Sequence, residues 1–481
     1  MNATAIALNR FGLGARPDDA LPQEPRAWLG GQFAAFEPRP AALANLPDRY
    51  DLGRDLAEFA AEVRREAAAG PPAGMAGPEM ADASGAGGDA LQPMRASLRQ
   101  GIRDRYTAMN AARLESALTT RAPFVERLVH FWANHFAVSA DKVQLVGMAG
   151  LLEFEAIRPN VLGRFGDLLL AAERHPAMLL YLDQAQSIGP NSGVGARTGR
   201  RGAQRGPNEN LAREILELHT LGVSGGYTQA DVTEFARALT GWTVGGLAAG
   251  RTLRLLGDSA RAGEFAFLDQ VHEPGERMIF GRRYAAGGEA QARAVLADLA
   301  VHPATARHLA TKLARHFAGD DPPQAMVARI ERAWLDSGGD LPAVYRAIVA
   351  SPEAWTEQPV KFKTPWEWVV SALRAVSAER LPPSVAGATL GELGQPTWRP
   401  GSPAGWDDIA ASWAGPDALV RRAQVAERLA GRGDGSLDAR ALAERVLPAA
   451  LGEATRQAIA RADSPQQGLA LLLVSPEFLR R

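Results

Sequence analysis

Apolar residues recur every three or four positions through most of this chain, which is the period of one face of an α-helix. The pattern covers Leu56–Ala68, Leu91–Thr119, Pro123–Ala137, Gly147–Ile157, Asn208–Leu221, Thr228–Thr240, Gly288–Val301, Pro303–Phe317, Gln324–Leu335, Pro365–Ala378 and most of Pro416–Arg481. Alternating patterns typical of strands are few, and the best is Arg277–Tyr284, with Thr252–Leu256 as its expected partner. The sequence therefore predicts a mainly α fold, a large multi-helix orthogonal bundle with at most one minor β-hairpin.

Loop composition suggests where the helical regions divide. Residues 69–90 contain no aromatic and no β-branched residue, so they cannot bury enough apolar surface to offset the entropy of folding. We predict an N-terminal helical region at residues 1–68, a flexible Gly/Ala/Pro-rich loop at 69–90, a main helical domain at 91–381 and a C-terminal helical subdomain at 382–481.

Composition excludes several classes of function. The 53 basic residues nearly balance the 54 acidic residues, so there is no electrostatic case for binding nucleic acid or an anionic membrane. The chain has no cysteine, which excludes disulfides, thiolate metal sites and a cysteine nucleophile. No stretch approaches the roughly 18 uninterrupted apolar residues of a transmembrane helix, and Met1–Pro17 lacks the pattern of a signal peptide. We therefore expect a soluble, cytoplasmic protein, with association to the cell envelope left open.

The segment from Asn208 to Trp242 predicts two consecutive helices. Asn208 suits the N-cap of the first helix, and Gly222 suits the position just after its last residue. Thr228 followed by Asp231 resembles a capping box that starts the second helix.

The first of these helices carries two polar residues on or beside its apolar face. At about 100° per residue, Glu214 falls between two leucines and His219 falls beside Ile215. Burying a carboxylate and an imidazole costs several kcal/mol unless they are paired, hydrogen-bonded or bound to a metal. Two interpretations follow: a structural pair that fixes the packing of the helix, or a pocket-lining pair that acts as acid and base or as metal ligands.

A second anomaly lies in the aromatic segment Phe124–Ala137. His135 falls near the middle of its apolar stripe, while His130 and Asn134, four residues apart, share one edge of it. A histidine among aromatic side chains needs a hydrogen-bond partner. That partner is either a backbone carbonyl in the core or another group of a functional site.

Further binding candidates come from loops and helix ends. His272 stands beside Glu273 in a loop, where a plain surface role is the alternative. Lys361 and Lys363 directly precede a helix, a position where a cation is unfavourable unless an anion is bound there. The other substrate-binding candidates are Asn134, Asn210, Arg213 and Trp406, the last of them in an irregular Pro/Gly/Trp-rich segment suited to covering a pocket.

Several motifs, taken in order, resemble a known bacterial family. They are Arg10–Gly14 (RFGLG), His130–Phe136 (HFWANHF), Asn208–Glu214 (NENLARE), Glu217–Gly222 (ELHTLG), Gly225–Thr228 (GGYT), Ala236–Trp242 (ARALTGW), Lys361–Pro365 (KFKTP) and Gly405-Trp406. Together they span nearly the whole chain and resemble the family catalogued as domain of unknown function 1800.

The resemblance implies a large bacterial family with no established activity. It also implies a protein partner, because members are often encoded beside proteins of the domain-of-unknown-function 1501 family, which tend to carry export signals. This chain departs from exported relatives in lacking the pattern of a signal peptide. It also has His272-Glu273 where the family has His-Asp, which keeps an acid beside the histidine.

Two hypotheses of function follow. In the first, His130, His135, Glu214 and His219 line a pocket between helices 124–137 and 208–221 and act as catalytic acid–base groups in a hydrolysis or an oxidation. Alternatively, His135, Glu214 and His219 would bind a divalent metal ion. In either case Arg213 or Lys363 would orient an anionic substrate. In the second, the same residues form a structural polar network, and the protein is a non-catalytic binding or assembly partner.

Overall fold

The fold is dominated by helices. The computed structural model describes residues 1–69, 91–199, 207–247, 260–432 and 437–481. Its longer helices are α1 (Pro25–Ala35), α2 (Arg49–Ala69), α3 (Gln92–Thr119), α4 (Pro123–His135), α5 (Phe165–Glu173), α6 (Gln229–Leu239), α7 (Glu289–Ala300), α8 (Pro303–Ala318), α9 (Gln324–Ser337), α10 (Leu341–Ala350), α11 (Pro365–Ala375), α12 (Pro383–Glu392), α13 (Pro416–Ala430), α14 (Ala439–Val446), α15 (Glu453–Ala460) and α16 (Pro465–Leu473). The predicted mainly α fold is confirmed. Within these ranges no helix combines the length and the apolar character that a membrane crossing requires.

Short helical pieces connect the longer helices. The α-helical ones are Ala3–Ile6, Val143–Val146, Ala149–Leu151, Arg158–Asn160, Pro176–Tyr181, Gly195–Gly199 and Asn210–Glu214. Turns of 3₁₀ helix occur at Ala41–Leu43, Gln184–Gln186, Asp269–Val271, Pro352–Trp355 and Ala410–Ser412. Three pieces are π-helical, Ala7–Phe11, Leu152–Ile157 and Ile215–His219, a form that often occurs at functional positions.

The strands form two small antiparallel pairs in the described parts of the chain. β1 (Trp242–Val244) pairs with β2 (Phe265–Phe267), and β3 (Arg277–Ile279) pairs with β4 (Arg282–Tyr284). The predicted strand Arg277–Tyr284 is thus a hairpin by itself, because Phe280 and Gly281 both take positive φ angles and reverse the chain. Its predicted partner, Thr252–Leu256, lies outside the described residues.

Local capping signals set the helix boundaries. Thr228 and Asp231 form the predicted capping box at the start of α6, each side chain bonding the other residue's backbone N–H. Gly241, with φ of +92°, turns the chain from the end of α6 into β1.

The helix predicted at Asn208–Leu221 differs from the expected one in its second half. It begins at Asn210, whose N–H donates to the side chain of Asn208 at 3.0 Å, and it passes into a π turn at Ile215–His219. A π turn bonds residues five apart rather than four, which shifts the buried face. Leu216 and His219 are therefore buried, whereas Glu214 is only half-buried.

Two hydrophobic cores organise the helices. The first collects α4, α5 and α8–α10, among others, and the second is built mainly from α11 to α16. Residues of the N-terminal segment and of α3 also enter the second core, notably Leu13 and Leu114. This core already includes Phe362, ahead of the predicted C-terminal subdomain, whose boundaries stay a prediction.

One carboxylate joins the two cores. Glu367, on the first turn of α11, pairs with Arg127 of α4 and with Nε of Arg481 at 2.8 Å. Its second oxygen accepts the N–H of Thr364 at 3.0 Å and so caps α11. Burial alone would raise the pKa of Glu367, but the guanidinium groups of Arg481 and Arg127 hold it well below its ordinary value.

Replacing this carboxylate tests how much the junction depends on its charge. Glu367→Gln keeps a residue that completes a capping box but leaves two buried guanidinium groups without an anion. We expect the free energy of unfolding, measured by denaturant titration, to fall by about 3–5 kcal/mol. The wild-type chain should lose the same contribution as the pH falls below 4.5, the ordinary pKa of a glutamate, because the unfolded chain then binds the proton more readily.

A surface pair provides the control. Glu331 pairs with Arg307 at 2.9 Å between α9 and α8, with both side chains partly exposed. Glu331→Gln should cost less than about 1 kcal/mol. Equal losses in the two variants would contradict the role given to Glu367.

Candidate functional site

A cavity of about 340 Å³ opens between the ends of α4 and α8, the start of α11 and the irregular segment at 395–409. It lies where the two cores meet, since Phe131 belongs to the first core and Leu13 to the second. Its aromatic wall consists of Phe131, Trp366, Trp398 and Trp406. An apolar cavity of this size with a few polar groups is typical of a small-molecule site.

His135, the last residue of α4, reaches the cavity as a neutral imidazole. Its Nε2 lies 3.2 Å from the backbone oxygen of His219, and its Nδ1 lies 2.9 Å from Nζ of Lys312. Because a carbonyl can only accept, Nε2 carries the proton and Nδ1 accepts from the lysine. Burial, and then the charge of Lys312, lower the pKa of His135 well below its ordinary value.

Lys312 is the second polar group of the wall, on the middle of α8. Burial lowers its pKa to about 8, and the nearby carboxylate of Asp408 opposes that shift only in part. Among the described residues no carboxylate lies within ion-pair distance of its ammonium group. Lys312 therefore stays mostly charged at pH 7, with a neutral histidine as its hydrogen-bond partner.

His316 lies one turn further along α8 and forms a pair with Asp408. Its Nδ1 donates to Oδ2 of Asp408 at 2.7 Å, whereas its Nε2 is buried and has no hydrogen-bond partner in the described part of the protein. Burial lowers the pKa of His316 to about 4, against the opposing charge of Asp408. The other oxygen of Asp408 lies 3.1 Å from Nζ of Lys361.

Of the residues predicted to be functional, His130, Asn134, His135 and Trp406 line this cavity. His130 accepts the indole N–H of Trp366 at 3.1 Å, and its other nitrogen lies 3.5 Å from Glu126. Burial lowers the pKa of His130.

Asn134 fixes the position of Trp406. Its side-chain oxygen accepts the backbone N–H of Trp406 at 2.8 Å, and its amide donates to the backbone oxygen of the same residue at 2.8 Å. The indole of Trp406 lies against that of Trp413, with ring centroids 5.8 Å apart. These two hydrogen bonds to one residue hold the irregular segment over the cavity.

His219 and Glu214 do not line the cavity. His219 lies behind His135, with ring centroids 5.8 Å apart, and its Nδ1 is 2.7 Å from the carboxylate of Glu173, which is also fully buried. The side chain of Glu214 makes no hydrogen bond or ion pair with any described residue, and burial raises its pKa. The structure thus brings His135 and His219 together without joining Glu214 to them.

The metal prediction gains no support from this arrangement. Over the described ranges, no group of three or more histidine, aspartate or glutamate side chains is placed to hold a metal ion. In particular, the nitrogen atoms of His135 face a lysine and a carbonyl oxygen.

The two lysines predicted to bind an anion are buried and contact other residues of the protein interior. Lys361 lies 2.9 Å from Asp320 and 3.1 Å from Asp408, and it is fully buried. Lys363 donates to Ser371 at 3.0 Å, and burial lowers its pKa to about 7. Neither lysine lines the cavity.

The remaining predicted residues lie away from the cavity. Arg213 forms a network on the surface of its helix with Glu209 and Glu217, each four residues away. Asn210 is exposed, at the start of the same helix. His272 is buried, with Nδ1 2.8 Å from the backbone oxygen of Thr240.

Among the cavity groups missing from the residues singled out in the sequence are Lys312, His316 and Asp408. The first two carried a signal, because residues four apart on a helix share a face and the histidine–lysine–histidine series 308, 312, 316 follows that spacing. Asp408 had none, since its pairing with His316 depends on a contact between residues 92 positions apart.

A comparison with known families matches residues 6–480, nearly the whole chain. The chain belongs to the DUF1800 family, described as a protein of unknown function. The resemblance noted in the sequence is thereby confirmed. The comparisons with curated proteins and with solved structures gave no match. The cavity is therefore the feature of this DUF1800 chain that bears on its function.

Substitution of Gly405, next to Trp406, tests how the irregular segment at 395–409 is held over the cavity. Gly405 has φ of +78°, and a β-carbon there would overlap the backbone oxygen of Asn134. Gly401 has φ of +74° but open space around it. Both alanine variants suffer backbone strain of about 1–2 kcal/mol, and Gly405→Ala should lose about 1–3 kcal/mol more through the clash.

Thermal or denaturant unfolding of the two variants measures this difference. Because the backbone strain is nearly the same, Gly401→Ala is the matched control. Equal stability would show that the contact between Gly405 and Asn134 does not fix the segment.

Proposed function

We propose that this protein is an enzyme that transfers a proton to or from a small molecule bound in the cavity between α4 and α8. The observation that carries the proposal is the free Nε2 of His316. The nitrogen is buried, belongs to a side chain that lines the cavity, and has no partner among the described residues, while Asp408 holds the opposite nitrogen at 2.7 Å.

His316 has the properties of a general base. With Nδ1–H donated to Asp408, the lone pair is on Nε2, and the low pKa keeps the ring neutral at pH 7. A carboxylate behind an imidazole fixes its tautomer and stabilises the imidazolium that forms when it accepts a proton. Lys361 in turn holds the carboxylate of Asp408 in place.

Lys312, oriented by His135, supplies the positive charge that complements the base. The Lys312 ammonium can stabilise negative charge that develops on a substrate, and His135 orients it through the 2.9 Å bond to Nδ1. Of the two reaction classes expected from the sequence, hydrolysis is the one that needs a base to deprotonate water and a cation nearby. These are the groups that face the cavity.

The alternative, a non-catalytic assembly role beside a protein of the domain-of-unknown-function 1501 family, rests on the family resemblance. No contact of the described residues bears on it. It stays a prediction.

The protonation of His316 can be measured without a substrate. In protein labelled with ¹⁵N-histidine, we expect His316 to carry its proton on Nδ1 at pH 7 and to stay neutral until the pH approaches 4, because burial disfavours the charged ring. Comparison with His316→Gln identifies its signal among the eight histidines. A proton on Nε2, or a charged ring at pH 7, would rule out the proposed base.

Turnover provides the second test. On a panel of nitrophenyl esters and phosphates, His316→Gln should lower kcat/KM by about 10²–10⁴-fold. For the wild-type chain, kcat/KM should rise with pH through about 4 as His316 loses its proton, and fall through about 8 as Lys312 does. The control is His302→Asn, which keeps an N-cap for α8. If a folded His316→Gln variant keeps the kcat/KM of the wild-type chain, the proposal is wrong.

A further inference from the structure

The charges around the cavity do not balance locally. Of its four lysine and arginine side chains, two have carboxylate partners: Arg113 pairs with Glu153 at 2.8 Å, and Arg127 pairs with Glu367. The other two are Lys312 and Arg315. Lys312 bonds a neutral histidine, and Nε of Arg315 bonds the backbone oxygen of Asp320 at 3.2 Å. Neither has a carboxylate within ion-pair distance among the residues that the structure describes.

The acidic side chains of the cavity are already occupied or lie at its edge. Glu367 holds Arg127 and Arg481, while Asp408 holds His316 and Lys361. The third is Asp407, which is exposed at the rim and accepts the hydroxyl of Ser412 at 2.8 Å. Two cations on α8 therefore face the cavity without counter-charges of their own.

This arrangement carries an electrostatic cost. Lys312 and Arg315 are three residues apart on one helix, where like charges repel. The lowered pKa of Lys312 reflects burial first and the charge of Arg315 as well, with Asp408 opposing both. The other titratable groups whose charge interacts with Lys312 are His308 on its own helix and His135 on α4, and burial lowers the pKa of both. Because these two histidines are neutral at pH 7, an anion in the cavity is what would offset the repulsion.

Part of the cavity lining is aromatic. Phe131, Trp366 and Trp406 line the cavity together with the two cations. An inorganic ion alone would leave this apolar surface in contact with water, at a cost of roughly 25 cal/mol per Å².

We infer that the cavity binds a small organic oxyanion, whose carboxylate or phosphate lies between Lys312 and Arg315 and whose apolar part lies against Trp406 and Phe131. The inference rests on the proposed function, because it names the substrate class of the same cavity. Guanidinium and ammonium groups together are well suited to a carboxylate or a phosphate.

The lysine content of the chain makes a direct test simple. It has four lysines. Lys361 and Lys363 are buried, whereas Lys142 is 41% exposed at its side chain and Lys312 opens into the cavity. Reductive methylation with ¹³C-formaldehyde keeps the charge and should therefore give two lysine NMR reporters, one at the cavity and one on the surface.

Titration of this methylated chain uses three probes of similar shape: benzoate, phenyl phosphate and benzamide. We expect benzoate or phenyl phosphate to shift the Lys312 signal and to raise the pKa of Lys312 above about 8, because a bound anion favours the charged amine. The anion that binds more tightly identifies the carboxylate or the phosphate as the preferred group. The Lys142 signal should not change, and neutral benzamide should have no effect. If neither anion moves the Lys312 signal, or if benzamide moves it equally, the inference is wrong.

Calorimetry on the unmodified chain measures the contribution of each cation. Lys312→Gln and Arg315→Gln should each weaken binding of the preferred anion by about ten- to a hundredfold, with Lys142→Gln as the control that leaves it unchanged. Binding should also weaken as the pH rises through about 8, where Lys312 loses its charge. Equal affinity in all three variants would overturn the inference. If a cavity variant fails to fold, the NMR titration of the methylated wild-type chain still tests whether an anion binds at Lys312.

The same measurements separate this inference from the proposed function. His316→Gln removes the proposed base but neither cation, so it should keep its affinity for the anion. Anion binding without any turnover would support the inferred anion site and contradict the proposed enzymatic function. Turnover that depends on His316, together with no anion binding, would support the proposed function and contradict the inferred anion site.

Discussion

The junction between the two cores depends on one buried carboxylate. Glu367 holds a guanidinium from α4 and another from Arg481, and it also caps the helix on which it lies. Buried charges of this kind cost much desolvation energy, and an apolar junction of the same volume is often at least as stable. A charged junction does, however, require each partner to take one position. It therefore fixes how α4 and α11 meet, and the cavity lies along that line of contact.

The same junction supplies the polar groups of the cavity. A chain of contacts runs from Asp320 through Lys361 to Asp408, and from there to His316. Both oxygens of Asp408 are thereby engaged, whereas the buried Nε2 of His316, on a side chain that lines the cavity, has no partner among the described residues. An unpaired buried nitrogen is costly, and it persists here because α8 and the bond to Asp408 fix the ring. The proposed base thus lies at the end of this chain of charged contacts.

Sequence patterns anticipated the helices better than the site. Thr228 and Asp231 predicted the start of α6 because a capping box involves residues three apart. The π turn at Ile215–His219 could not be read from a 3.6-residue period, and it moved His219 into the core while Glu214 stayed half-buried. His135 was recognisable as an anomaly of α4 alone. Its partner Lys312, 177 positions further along the chain, could not be assigned, because a period within one helix does not reveal which helix packs against it.

The motifs that carry the family resemblance also divide between structure and site. Arg10 bonds the backbone oxygens of Ala354 and Gln358, which anchors the N-terminal segment rather than touching the cavity. The groups that face the cavity come instead from α4 and from one face of α8, where Lys312 and His316 stand one turn apart. At 1.5 Å per residue, their backbone positions are separated by about 6 Å along the helix. A substrate that uses both must therefore carry its anionic group within a few bonds of the atom that gives up or receives the proton, which limits the proposed chemistry to compact molecules.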